Sequence, residues 1–164
     1  MRSLKEVDGS RLGLWGSSYS GGHVIVTASR DEGVAAIAAQ VPFVDGVSSA
    51  TYTGFKHAWQ ATAAGLKDLA RALTFREPYR VPIVSDPKTF GIMNTPESEP
   101  GYMSIVPEGT DWRNECPARA VLELLLYRPI GRAREVRCPA LVVLGERDSL
   151  IKPRAVERAA SRMR

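Results

Sequence analysis

The chain has 164 residues, 44% of them hydrophobic and 24% charged, with 22 basic against 18 acidic side chains and a formal charge of +4. That is one domain's worth of a soluble globular protein, long enough for a sizeable core. No apolar run reaches the roughly 20 residues of a membrane span, and the first seven residues hold no apolar stretch of signal-peptide length, so the expectations are a cytoplasmic location and no membrane partner.

In chain order, residues 1–7 read as the end of a helix and Asp8-Gly9-Ser10 as a turn. Residues 12–15 form a short strand that is almost entirely apolar, the pattern of a parallel strand with helices on both faces. Next comes Gly16-Ser17-Ser18-Tyr19-Ser20-Gly21-Gly22-His23, small residues with one serine among them, leading into a helix over 19–29 that no proline breaks. A strand, a sharp turn and a helix are the setting of an exposed serine nucleophile at the turn's apex. The positions two before and two after it must be small because strand and helix backbones converge there. Those positions are Gly16 and Ser20, and Ser20 departs from the usual glycine by one hydroxymethyl group. Ser18 is therefore the candidate nucleophile. A phosphate-binding loop is the competing reading, but there is no Lys-Ser/Thr ending and the glycine spacing is not G-x-G-x-x-G, so no nucleotide or other cofactor is expected.

A second strand follows over 34–41, weakened by its alanines, which completes a βαβ unit with a right-handed crossover. From 43 to about 114 the pattern changes. A helix is predicted over 58–73, and then Pro78, Pro82, Pro87, Pro96, Pro100 and Pro107 interrupt any regular structure, as in an inserted lid of helix and long loops laid over a site. A mobile loop without a recognition role is the alternative. Cys116 and Cys138 are too few and too far apart for a zinc site, so two reduced thiols and no metal are expected. A helix over 118–127 stops at Pro129. The clearest strand is the apolar run 140–144, opening after Pro139 and closing at Gly145, and a last helix runs over 154–163. Arg154, Arg158, Arg162 and Arg164 lie on that helix without aromatic interleaving. They read as a solvated face, and no nucleic-acid partner is expected.

Asp148 falls just beyond the C-terminal end of the last strand, where open α/β sheets hold their ligands and catalytic groups. A carboxylate there suits the acid that orients a histidine and stabilises its imidazolium. Taken alone it reads as a turn or capping residue, and Glu146 is the fallback acid.

The blocks Gly13-Leu14-Trp15-Gly16-Ser17-Ser18-Tyr19-Ser20-Gly21-Gly22-His23 and Cys138-Pro139-Ala140-Leu141-Val142-Val143-Leu144-Gly145-Glu146-Arg147-Asp148 resemble bacterial α/β-hydrolases of the esterase and serine-aminopeptidase-like type. The resemblance covers residue 8 to the end and is weakest across the lid. It implies an α/β fold of parallel strands with flanking helices and an inserted lid, the three strands matching the fifth to seventh of an eight-stranded sheet. It also implies that Ser18 attacks an ester or amide carbonyl, that the Tyr19 backbone N–H is one oxyanion-hole donor, and that the small-molecule substrate is an acyl or ester compound. The family's histidine follows an eighth strand, whereas none of the sixteen residues after Asp148 is histidine. The chain is thus expected to be a single domain cut at both ends. His23 is expected to pack under the sheet or bind a carbonyl, and His57, at the start of the lid, is a weak substitute base. The rival expectation is a non-catalytic module that forms a homodimer or docks on a partner through the open edge of its first strand.

Overall fold

The computed structural model describes residues 4–163 and all of their side chains except that of Thr53. In chain order its elements are β1 (Leu12–Ser17), α1 (Tyr19–Ala28), β2 (Val34–Gln40), α2 (Gly46–Thr53), α3 (Phe55–Leu73), β3 (Arg80–Val81), α4 (Ser98–Met103), β4 (Cys116–Pro117), α5 (Ala120–Leu126), β5 (Ala140–Val143) and α6 (Pro153–Ala160). Single 3₁₀ turns lie at Pro129–Gly131 and Ala133–Glu135. The chain forms two compact units, one of residues 1–49 and 127–164, the other of residues 50–126.

The first unit is built on a parallel sheet in the order β1, β2, β5. Leu14 stands beside Ile37 and Ile37 beside Ala140, while Ser17, Gln40 and Val143 form the row at the C-terminal end. The strand and helix expectations for this unit hold to within a few residues. The exception is 4–7, which is a turn closed by Val7 N–H to Leu4 O at 3.2 Å rather than a helix; residues 1–3 lie outside the described residues. Asp8 organises the next turn, accepting from the N–H of Ser10 at 3.0 Å and its hydroxyl at 2.6 Å.

One buried apolar cluster joins Ile25 of α1, Ile37 and Ala39 of β2, Val44, Ile130 and Val136, and Val156 and Ala159 of α6, with Leu14, Val142 and Leu144 packed against it. These side chains lie on one face of the sheet. The opposite face carries no helix among the described residues, and Trp15 is 70% exposed and Leu141 62%. The expectation of helices on both faces of β1 is therefore corrected. Its run of apolar and small residues fits a strand buried on both sides, but the described elements cover only one.

The second unit relies less on regular structure. Gly65 lets α3 approach α5, since a Cβ there would lie 2.8 Å from Leu122 Cγ. Among the prolines only α4 and the two-residue strands form, β3 pairing antiparallel with β4. Side chains do the remaining joining. Asp68, fully buried, accepts the N–H of Tyr79 at 2.6 Å and of Arg119 at 3.0 Å, with the Arg119 guanidinium 3.7 Å away. Burial alone would raise its pKa, yet those two N–H groups and the charges of Arg119 and Arg71 outweigh it and hold the carboxyl below its ordinary 3.8. Asn114 accepts from the N–H groups of Ile83 and Val84 at 3.0 and 2.9 Å and donates to the Val84 carbonyl at 2.8 Å, much as a strand neighbour would. Both cysteines are free thiols, and burial raises the pKa of Cys116.

Candidate active site

Ser18 sits between β1 and α1 with φ 53° and ψ −118°. A non-glycine residue adopts that left-handed conformation only under constraint from its surroundings. Here its N–H donates to Gln40 O at 2.9 Å, and its carbonyl accepts from Phe43 N–H at 2.8 Å and Gly22 N–H at 3.3 Å, so the chain is pinned on both sides of the turn. A serine in this position ordinarily caps the helix with its hydroxyl. The Ser18 side chain makes no such cap bond and is exposed.

The small neighbours have the expected cause. A Cβ on Gly16 would collide with the Ser20 carbonyl oxygen and lie 2.6 Å from its carbon. Ser20 is tolerated because its side chain turns back to β1, its hydroxyl accepting from Ser17 N–H at 2.9 Å and donating to Ser17 O at 2.8 Å. Gly21 and Gly22 admit the loop after β2, since a Cβ on Gly21 would come within 2.9 Å of Pro42 and one on Gly22 would meet the Phe43 carbonyl.

That loop contains features not read from the sequence. Val41 has φ 38°, a rare conformation for a β-branched residue. Its N–H donates to Val143 O at 2.7 Å, and the turn brings the Phe43 N–H onto Ser18. The loop is held in turn by residues far along the chain. Arg128 binds both Asp45 oxygens, at 3.0 and 3.2 Å, and the Ile130 N–H reaches Val44 O at 2.9 Å. The aromatic rings gather beside it, with Tyr19 4.5 Å from His23, 5.0 Å from Tyr127 and 5.8 Å from Phe43 between centroids. Burial, and then the nearby Tyr19, push the Tyr127 phenol up to about 12. Val41-Pro42 was the available signal, because a residue before proline is restricted; a contact across 83 residues leaves none.

Asp148 is half-buried, five residues past the end of β5. Because the sheet is parallel, it and Ser18 follow C-terminal strand ends at the same rim. One Asp148 oxygen accepts the N–H groups of Leu150 at 2.9 Å and Ile151 at 2.8 Å, forming the turn that leads into α6. Its turn-residue role is therefore present, and Glu146 is exposed. Tyr19 opens α1, where backbone N–H groups point out of the helix N-terminus.

The histidines are placed elsewhere. His23 does not pack under the sheet. It is exposed, with Nδ1 2.7 Å from the Tyr127 hydroxyl rather than on a carbonyl, because five residues along α1 turn it outward. His57, in the second unit, donates from Nε2 to the Gly91 carbonyl at 2.7 Å and packs beside Phe90. A cleft of about 720 Å³ lies at the other end of the sheet, between residues 28–35 and 134–139, and includes none of Ser18, Tyr19 and Asp148. Among the described residues no group of His, Cys, Asp and Glu is arranged to hold a metal, and no helix is long and apolar enough to cross a membrane.

A parallel sheet in this strand order, flanked by helices, gives the chain an α/β-hydrolase-like fold. It is similar to the quorum-quenching protein AidA of Acinetobacter baumannii strain MDR-ZJ06, 32% identical over 160 residues, which are 98% of this chain and 53% of AidA. Its fold matches the crystal structure of the α/β hydrolase GrgF from Penicillium sp. sh18, at a TM-score of 0.73 and 19% identity over 96% of this chain and 53% of that one. It also matches DcsB, solved in complex with its substrate analogue, at a TM-score of 0.77 and 21% identity over 98% and 55%. The chain thus spans about half the length of each. No protein-family model matches it.

Proposed function

We propose that Ser18 is the nucleophile of a serine hydrolase acting on carboxylic esters or related acyl compounds. The observation that carries this reading is the backbone of Ser18, a left-handed serine held by three hydrogen bonds between strand and helix, with its hydroxyl exposed and not used as a cap. Structure that stores strain to present one side chain is a mark of function. The likeness to AidA and to an α/β hydrolase supports the same chemistry.

On this reading the Ser18 oxygen bonds to the substrate's carbonyl carbon and its proton passes to an imidazole. The carbonyl oxygen, now negative, is met by the Tyr19 N–H. The carbonyl–alkoxy bond then breaks, and the departing alkoxide takes the proton from the imidazolium. Water attacks the acyl-serine and gives a proton to the same imidazole; the acyl–oxygen bond to Ser18 then breaks, the Ser18 oxygen takes that proton back, and the acid departs. Asp148 orients that imidazole and stabilises its charged form. Both histidines of this chain are engaged elsewhere, so the imidazole comes from outside it.

A fluorophosphonate probe tests this. The expected result is labelling that added imidazole accelerates and that Ser18→Ala abolishes, with the acceleration diminished in Asp148→Asn. Equal labelling of Ser18→Ala, or none with imidazole present, would overturn it. The bare sheet face favours a second reading, a non-catalytic interaction module, for which the absence of labelling is the expected outcome.

A further inference from the structure

The hydrogen bond from Phe43 N–H to the Ser18 carbonyl depends on a loop that is strained within itself. Val41 at φ 38° and Ser18 at φ 53° both sit where a side chain is unfavourable, so each relaxes unless its neighbours hold it. Upstream the sheet supplies that hold, through Val41 N–H to Val143 O at 2.7 Å and Ser18 N–H to Gln40 O at 2.9 Å. Downstream it comes from residues 127–130. The Ile130 N–H donates to Val44 O at 2.9 Å and the Gly46 N–H to Tyr127 O at 3.0 Å, and between them Arg128 grips Asp45 through Nε and Nη2 at 3.0 and 3.2 Å. Three consecutive residues of the loop, beginning one position after Phe43, are thus tied to a single segment 83 residues further along the chain.

We propose that Arg128 and Asp45 are positioning residues for Ser18, acting through the Phe43 N–H on its carbonyl. Their effect on chemistry rests on the hydrolase reading, whereas their placing of the Ser18 backbone does not. The Asp45 side chain is 12% exposed, so its carboxylate meets the guanidinium in partial shelter from solvent, and the planar fork fixes direction as well as distance. Its Oδ1 also accepts the Val47 N–H at 3.2 Å, which makes the pair continuous with the start of α2. The chain leaves the first unit after Ser49 and returns to it at Tyr127, so the pair closes the neck through which residues 50–126 are inserted. A free neck would let residues 44–46 drift and the Phe43 N–H withdraw. Ser18 would then relax toward an ordinary turn, in which a serine hydroxyl is drawn back to cap the helix. The pair keeps that hydroxyl presented without touching the reacting atoms.

Fluorophosphonate labelling of the full chain with imidazole present, run beside hydrogen exchange at the Phe43 amide, tests this. Arg128→Ala, and Asp45→Asn, which keeps an oxygen for the Val47 N–H, should each slow labelling about 10-fold and quicken Phe43 exchange by about as much, with circular dichroism retained. Arg128 is 57% exposed, so methylguanidinium added to Arg128→Ala at a non-denaturing concentration should take the vacated place and restore both readouts. Arg137→Ala, which breaks an exposed ion pair with Glu32 beside the cleft at the other end of the sheet, should change neither. An undiminished labelling rate in Arg128→Ala, or unaltered Phe43 exchange, overturns the proposal. So does a loss that methylguanidinium leaves unrepaired, which would make Arg128 a general support of the fold. If the unaltered chain takes no label, the hydrolase reading fails, and the Phe43 exchange alone still decides whether the pair positions Ser18.

Discussion

The two units solve one problem in opposite ways. Around β1, β2 and β5 the backbone satisfies itself through a continuous parallel ladder, and irregularity is concentrated at the adjacent turns containing Ser18 and Val41. In residues 50–126 the prolines leave little ladder, and carboxylate and amide side chains take its place, Asp68 joining the segments at Tyr79 and Arg119 and Asn114 holding Ile83 and Val84. The contrast shows where each unit is vulnerable: the first at glycines where backbones converge, the second at single polar side chains.

Asp68→Ala should have the largest effect. It strands two backbone N–H groups and leaves Arg119 without its buried partner, a loss of about 4 kcal/mol. Hydrogen exchange at the Tyr79 and Arg119 amides should quicken by several orders of magnitude, while amides in β2 keep their protection. Uniform loss across both units would break the comparison. The pH dependence runs the same way. Asp68 has a folded pKa below the ordinary 3.8, so its stabilisation is complete above that unfolded value and disappears as pH falls through the folded one. Tyr127 has a folded pKa raised from 10.0 to about 12, so its contribution is complete below pH 10 and is lost as pH rises toward 12. Acid should therefore loosen the second unit first and alkali the first, which separate amide-exchange profiles at pH 3 and pH 11 would check.

Gly16→Ala comes next. Its Cβ would meet the Ser20 backbone, which cannot rotate away as a side chain would, so strand and helix must separate at a cost of about 3 kcal/mol. Thermal unfolding should show that loss, and probe labelling at Ser18 should fall with it, whereas Gly101→Ala in helix α4, where nothing lies within 4 Å, should stabilise by up to about 1 kcal/mol and leave labelling unchanged.

The same contrast explains what the sequence made legible. β1 and β5 were readable because both are short apolar runs bounded by glycine or proline, and the turn at Ser18 because convergence of two backbones demands Gly16. Both are local effects. The uncovered face was hidden: Leu12-Gly13-Leu14-Trp15 has the apolar continuity of a doubly buried strand, and sequence alone does not show what covers a side chain. The Arg128–Asp45 clasp was hidden by 83 residues of separation, and the Asp68 and Asn114 clasps because surface turns use the same residue types.

The smallest expected effect is at Val41, and its sign is the informative part. Holding a β-branched residue at φ 38° costs about 2 kcal/mol. Glycine relieves that strain but gains unfolded-chain entropy worth about 1 kcal/mol. Val41→Gly should therefore stabilise the first unit by about 1 kcal/mol in thermal unfolding. Because a freer turn holds Phe43 N–H less firmly on the Ser18 carbonyl, probe labelling at Ser18 should fall even as stability rises. A variant that loses both would show that the Val41 side chain, not its backbone, supports the turn. One that gains stability with labelling intact would leave Ser18 held by β1 and α1 alone.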